Sequence, residues 1–348
     1  MFDWSDIPDH ISRACYMLTV FFNFSLVYLT LYHTKQIVGT YRNMIITFAS
    51  IGTTFSTLDI LVRPLFHSYN GCFLFFTLGS SFRSSKRAAE IALLVYAGSY
   101  GVVLAFLAVQ FMYRAALLSK PKLARFFSGW KLFFWIIYAL LIGTIWALVS
   151  MFCYPDNISY EYVRQEVMNF YQVEIRDVPC FLILAYGEDE SGKWLRWNSV
   201  ATIGSVSLIL ASQYGIMLIC GMIMYRRTRG EIPTSSSYNE QLQKQVFIVL
   251  ICQVTAPTLF FHLPGTLVLF APFFDLKFSF HSRIIVYGFS VYPLVDTLIL
   301  LKVITEYRNA YKRFVRFFWS ELYLLLGPDT PRPPPSNVSF TTSNLAMI

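Results

Sequence analysis

Apolar residues run along this chain in seven long stretches, at about 11–33, 43–65, 88–112, 131–152, 198–224, 245–272 and 284–305, with most of the charge between them. A helix rising about 1.5 Å per residue needs a stretch of this length to cross a hydrocarbon core of about 30 Å. The stretches are apolar nearly all round, whereas a helix on a soluble core would keep a polar face. In lipid every backbone polar group must be satisfied internally, so each stretch predicts a transmembrane helix. The pattern predicts an all-α membrane protein, a seven-transmembrane helix bundle over residues 1–316. The fifth and sixth stretches run long, which predicts tilt or bending. Pro257 and Pro264 in the sixth and Pro293 in the seventh predict kinks that neighbouring helices support. Residues 317–348, with Pro331-Arg332-Pro333-Pro334-Pro335 and a Ser/Thr-rich end, read as a disordered cytoplasmic tail, either a phosphorylation target or inert.

Composition agrees. Of 348 residues 55% are hydrophobic and 14% charged, against about 25% charged in soluble domains, and the mean hydropathy is +0.51. Charge then gives the bundle a direction. One set of alternate loops, with the C-terminal tail, holds 16 basic residues and five acidic ones; the other set holds 11 and 12. The basic excess marks the cytoplasm, so the N-terminus is predicted outside. The net charge of +8 thus reflects topology and gives no reason to expect nucleic acid. The first stretch lacks a basic leader and a small-residue cleavage site, so it is expected to act as its own insertion signal.

The longest outer connection, about 153–197, is either a cap over an outer cavity or a solvated linker. Asn157-Ile158-Ser159 within it is a candidate glycosylation site. Cys72, Cys153 and Cys180 are predicted on the oxidising side, where a Cys72–Cys180 bridge between the first two outer loops is favoured over the other pairings. Cys15, Cys220 and Cys252 fall within helices as small apolar residues. No Cys/His cluster, HExxH or GxSxG is present, so neither a metal, a cofactor nor a catalytic residue is expected.

Several motifs fall on these helices in order. The first carries Asn23 and Leu26-Val27-Tyr28-Leu29, and the loop after it ends Gly39-Thr40-Tyr41-Arg42-Asn43-Met44. The second closes Pro64-Leu65-Phe66-His67 and the third Phe111-Met112-Tyr113-Arg114. The sixth opens Gln241-Leu242-Gln243-Lys244-Gln245-Val246-Phe247 and continues to Gln253 and Pro257. The seventh reads Tyr292-Pro293-Leu294-Val295-Asp296, before Tyr307-Arg308. Over residues 20–315 this order resembles the nematode seven-transmembrane chemoreceptors of the Str class, the group of the diacetyl odorant receptor, with the related Srj class open beside it. Ala115, where the family commonly has Tyr, and Asp296-Thr297, where it often has Asp-Pro, depart from the pattern. The resemblance implies a GPCR-like bundle and an odorant receptor coupled to a heterotrimeric G protein, in the plasma membrane of sensory cilia.

On that reading the ligand sits among the outer halves of helices three, five, six and seven. Candidate contacts are Tyr96, Tyr100, Gln213, His262, Tyr287 and Ser290, polar tips in an aromatic surround that suit a small, weakly polar odorant. Candidate coupling residues are Tyr113, Arg114, Gln253, Pro257, Tyr292, Pro293 and Asp296. Arg114 either controls the G-protein cleft or snorkels to the surface. Asp59 either pairs with Arg63 at i, i+4 or polarises the ligand. Glu90 suits the first turn of the third helix, and Asp296 is expected to bond across helices. Other expected partners are membrane lipid and a second receptor copy. The rival class is a ligand-gated channel or small-molecule transporter. It lacks the internal repeat common in transporters, and an insect-type odorant channel has the opposite orientation.

Overall fold

The computed structural model describes residues 7–34, 37, 39–79, 81–82, 85–189, 192–229, 237–274, 279–281 and 283–326. Among these, seven helices are long and apolar enough to cross a membrane. They are α1 (Ile7–Tyr32), α2 (Thr40–Val62), α3 (Lys86–Ser119), α5 (Leu132–Ser150), α7 (Trp197–Arg229), a composite sixth and α10 (Arg283–Val303). A one-turn helix, α4 (Pro121–Ala124), lies in the inner loop between α3 and α5. The sixth crossing consists of α8 (Ser237–Pro257), a π-helical turn (Thr258–His262) and α9 (Leu263–Phe270). Pro264, in the first turn of α9, has no N–H for the Phe260 carbonyl, and the turn before it opens to π-helical width, with the Leu263 N–H on the Thr258 carbonyl. Pro257, the last residue of α8, leaves that helix unbroken. Pro293 leaves α10 unbroken.

Helix α3 runs through the middle and is the most enclosed. Its start is fixed by Ser85, whose hydroxyl accepts from the Ala88 amide at 3.4 Å. Its close approach to α5 depends on small residues. A Cβ added at Gly98 would lie 2.7 Å from the Gly143 carbonyl oxygen, and one at Gly143 would lie 2.6 Å from that of Gly98. Helix α2 stops at Val62, earlier than expected. Arg63 takes a left-handed conformation (φ 49°), and Pro64 disfavours further helix at the residue before it.

The outer side is a built cap, which decides the sequence alternative against a solvated linker. Strands β1 (Leu65–Tyr69), β2 (Cys72–Phe76), β3 (Cys180–Leu184) and β6 (Ser279–His281) form an antiparallel sheet in the order β3-β2-β1-β6, so all three outer loops share one ladder. A hairpin of β4 (Tyr186–Asp189) and β5 (Gly192–Leu195) follows. Asn70, at φ 48°, supplies the left-handed residue of the tight β1–β2 turn. Side chains alternate along the strands. Cys72, Leu74, Phe76, Cys180, Leu182 and Leu184 face Val163 and Val167 of α6 (Asn157–Tyr171). Phe73, Phe181 and Ile183 join the core cluster of the bundle. The entry of α6 is held by Asp156, which accepts from the Ser159 amide at 2.9 Å and from Arg196 at 2.6 Å.

The register rules out the expected bridge. Cys72 lies opposite Leu184 and Cys180 opposite Phe76, so the two thiols are four strand positions apart, about 13 Å. Both are free, as is Cys153. Burial pushes the Cys72 thiol up and that of Cys180 to about 12, keeping both protonated. At the other end α11 (Thr305–Leu326) is a helix that runs across the boundary expected at 317. Residues 327–348 of the expected tail lie outside the described residues.

Candidate functional site

Beneath the sheet lies a cavity of about 170 Å³. Its roof is Phe66, Phe73, Phe75, Phe181 and Ile183 from the strands. Its walls are Tyr96, Ala97 and Tyr100 of α3, Trp146 and Ser150 of α5, Cys153 just beyond α5, and Thr202, Val206 and Leu210 of α7. His262, Gly265, Thr266 and Leu269 of the sixth crossing and Phe289 of α10 complete it. The surface is overwhelmingly apolar, with few polar groups, as in small-molecule sites generally. The Cys153 thiol donates to Thr202 Oγ1 at 3.2 Å. His262, presented by the π-helical turn, has Nδ1 2.7 Å from the Tyr214 hydroxyl, which also meets Thr258 Oγ1 at 2.7 Å. The Tyr100 ring packs against the imidazole at 5.3 Å.

Of the six candidate contacts, Tyr96, Tyr100 and His262 line the cavity, whereas Gln213, Tyr287 and Ser290 do not. Gln213 is turned to α5, accepting from Tyr138 at 3.1 Å. Ser290 is turned to Asp59, to which it donates at 2.6 Å. Tyr287 stands outside the lining, while Phe289 of the same helix contributes a wall. The strand phenylalanines, Trp146 and Thr202 were not anticipated. Short apolar runs on either side of the Asn70-Gly71 turn, without alternation, are the one weak local signal for the strands.

Asp59 resolves differently from either sequence reading. It is 5% exposed. Its carboxylate accepts from the Tyr96 hydroxyl at 2.9 Å and from Ser290, and Ser12 of α1 lies 3.2 Å from that serine. Arg63, past the end of α2, instead extends along Gly79. The carboxylate therefore connects α2, α3 and α10 directly behind the cavity wall. Glu90 lies one turn inside α3, 3.9 Å from Lys86 and 3.5 Å from the Tyr154 hydroxyl.

At the inner end Arg114 is only 4% exposed, so it does not snorkel. Its guanidinium lies 3.5 Å above the Tyr41 ring and donates to Gln243 Oε1 of α8 at 3.3 Å. Tyr113 packs against Phe127. Gln245 of α8 donates to Thr305 Oγ1 at 2.8 Å and accepts from its amide at 3.0 Å. Midway, Asn23 donates to the Ala49 carbonyl and to Thr53, and accepts from Thr297. Asp296 is 6% exposed and borders a small cleft with Asn23, Tyr292, Pro293 and Thr297. The Gln253 amide of α8 lies near enough to interact with this carboxylate across the helices, although neither its atoms nor Asp296 Oδ1 reach full hydrogen-bond geometry among the described residues.

The family described as "Serpentine type 7TM GPCR chemoreceptor Str" matches residues 8–312. The chain is 38% identical to the Caenorhabditis elegans "G-protein coupled receptor str-33", covering 88% of this chain and 90% of that one. It is 26% identical to "Serpentine receptor class r-10" of Caenorhabditis briggsae (89% and 91% covered) and 27% identical to the C. elegans protein of that name (86% and 88%). These are receptors rather than enzymes, and the channel or transporter alternative gains nothing from them. With its seven membrane-crossing helices, this chain belongs to the Str family of serpentine G-protein-coupled chemoreceptors.

Proposed function

We propose that the cavity under the outer sheet is the odorant site, and that its occupant is a small, weakly polar and volatile molecule. The size and lining of the cavity carry this reading. Its volume of about 170 Å³ is close to that of an engineered apolar cavity of about 150 Å³ that takes up benzene. His262, Thr202 and Cys153 supply a few polar atoms in an aromatic surround, enough to orient one polar group on the ligand. The ligand shifts the receptor only by binding one arrangement more tightly than the other.

The signal leaves through the sixth crossing. Its π-helical turn carries His262 into the cavity wall, while its inner end is held by Gln243 on Arg114 and Gln245 on Thr305. A shift of the outer half is transmitted past Pro257 and releases these inner contacts, admitting a heterotrimeric G protein onto the basic loops. Tyr292, Pro293, Asp296 and Gln253 act as the polar hinge between the ends. The receptor works in the plasma membrane of sensory cilia, in contact with lipid, with a glycan on Asn157 and a second receptor copy as further partners.

The test is odorant-evoked G-protein signalling in cells expressing the receptor, screened with volatile ketones, alcohols and aromatics. Tyr100→Ala or His262→Ala is expected to abolish or re-rank the responses, and Arg114→Ala or Asp296→Ala to abolish them, all with surface expression intact. Odorant-gated current without any G protein would sink the reading.

A further inference from the structure

Among the described residues the outer sheet covers the cavity on its aqueous side, while its one exposed lining residue stands on a helix flank. Above it, the roof phenylalanines belong to strands hydrogen-bonded across all three outer loops, and α6 covers the sheet. Every roof residue is buried or half-buried. The side wall between α7 and α9 differs. Thr266 of α9 is the one exposed lining residue among those described. Next to it Gly265 also lines the cavity, and a Cβ added there would meet nothing within 4 Å. Helix α7 packs closely on α3 and α5. It reaches the sixth crossing through the Tyr214 side chain, at Thr258 and His262, about a turn below Gly265. Above those bonds nothing comparable joins the two helices among the described residues, and their outward faces carry Leu208, Leu263 and Leu267, all exposed.

We infer that the odorant enters from the lipid, through a gap between α7 and α9 at Gly265 and Thr266. This deepens the odorant-site reading and rests on it. A small apolar molecule partitions into hydrocarbon, so the bilayer concentrates it beside this gap, whereas the route from water would require separating a hydrogen-bonded sheet. The gap selects by solubility before the cavity selects by shape: a permanently charged molecule small enough for the cavity would not reach it, because a charge is expelled from the bilayer interior.

Cys153, a native thiol in the cavity wall, provides a readout that needs no odorant. The full-length receptor in membranes is treated with methyl methanethiosulfonate, which is neutral and lipid-soluble. A parallel sample receives the trimethylammonium-ethyl methanethiosulfonate, which is permanently charged. Labelling of the Cys153 peptide is followed by mass spectrometry, each rate being normalised to reaction with a free thiol in water. The neutral reagent is expected to label Cys153 faster by roughly tenfold or more, the charge being excluded from lipid. Gly265→Trp is expected to slow that labelling severalfold, with Gly265→Leu as the milder variant if the first fails to reach the membrane. Gly204→Trp, on the open surface of α7 outside the cavity lining, is expected to leave it unchanged. Equal normalised labelling by the charged reagent would overturn the lipid route, as would neutral labelling unaffected by a folded Gly265 variant. An odorant screen that failed would count against the receptor's ligand class and leave these labelling rates untouched.

Discussion

Asp59 shows how spacing alone misplaces a single side chain. Asp59 and Arg63 stand four residues apart, the distance of a helical ion pair, yet the helix ends between them and the carboxylate turns inward to Tyr96 and Ser290. A hydrogen bond to a buried charged group is worth about 1.5–3 kcal/mol. Tyr96→Phe and Asp59→Asn should therefore each lower thermal stability in detergent, and the double variant should cost less than the sum of the two. Additive losses would show that the residues act separately. Gln243→Ala removes the helix-six partner of Arg114, so basal G-protein signalling without ligand should rise severalfold by the release of an inner restraint; unchanged basal signalling would reject the restraint. The motifs that place Arg114, Gln253 and Asp296 were legible because they recur in order on the helices. Membership of the cavity was not. Neighbouring residues on a helix point about 100° apart, so Ser290 and Phe289 face different partners. Helices that are apolar nearly all round carry little signal for their own rotation.

Among the elements, the transmembrane helices were legible and the strands were not. A helix of twenty apolar residues has one explanation, whereas five-residue runs such as Cys72–Phe76 read equally well as loop. The ladder that orders them joins residues more than two hundred positions apart, and no local pattern reports that. The cysteines depend on the strands in the same way, because it is the register that keeps Cys72 from Cys180. The π-helical turn is not legible either, although Pro264 just past it marks its position. There Gly288 lets α10 approach so closely that an added Cβ would lie 2.8 Å from the Phe260 carbonyl oxygen. Gly288→Ala should thus force the sixth crossing away from α10 and change odorant potency more than surface expression. Gly143→Leu, at the α3–α5 contact, should instead reduce surface expression and melting temperature, since overpacking costs about 1–3 kcal/mol. Potency unaltered by Gly288→Ala would show that α10 does not constrain the turn.

Across the whole molecule, the number of crossings is legible because lipid thickness acts on any sequence. The outer cap obeys water instead. Burial alone would raise the Asp156 carboxyl, but the Ser159 hydroxyl and amide, with the Arg196 charge, hold it below its ordinary 3.8. Its contribution is present above about pH 4 and is lost as pH falls through the lowered value. Protection of the α6 amides, with the intrinsic pH dependence of exchange divided out, should therefore fall in strongly acidic buffer, and fall less in Asp156→Asn, which has already lost the charge. The sheet beneath α6 has a further consequence. Its cohesion comes from main-chain hydrogen bonds, which every sequence supplies, while its lower face presents only side chains to the cavity. Substitutions at Phe66, Phe73, Phe75 or Phe181 can then reshape the chamber without unfastening its ceiling. Such a division lets a handful of side-chain exchanges change what the chamber fits while its frame stays constant.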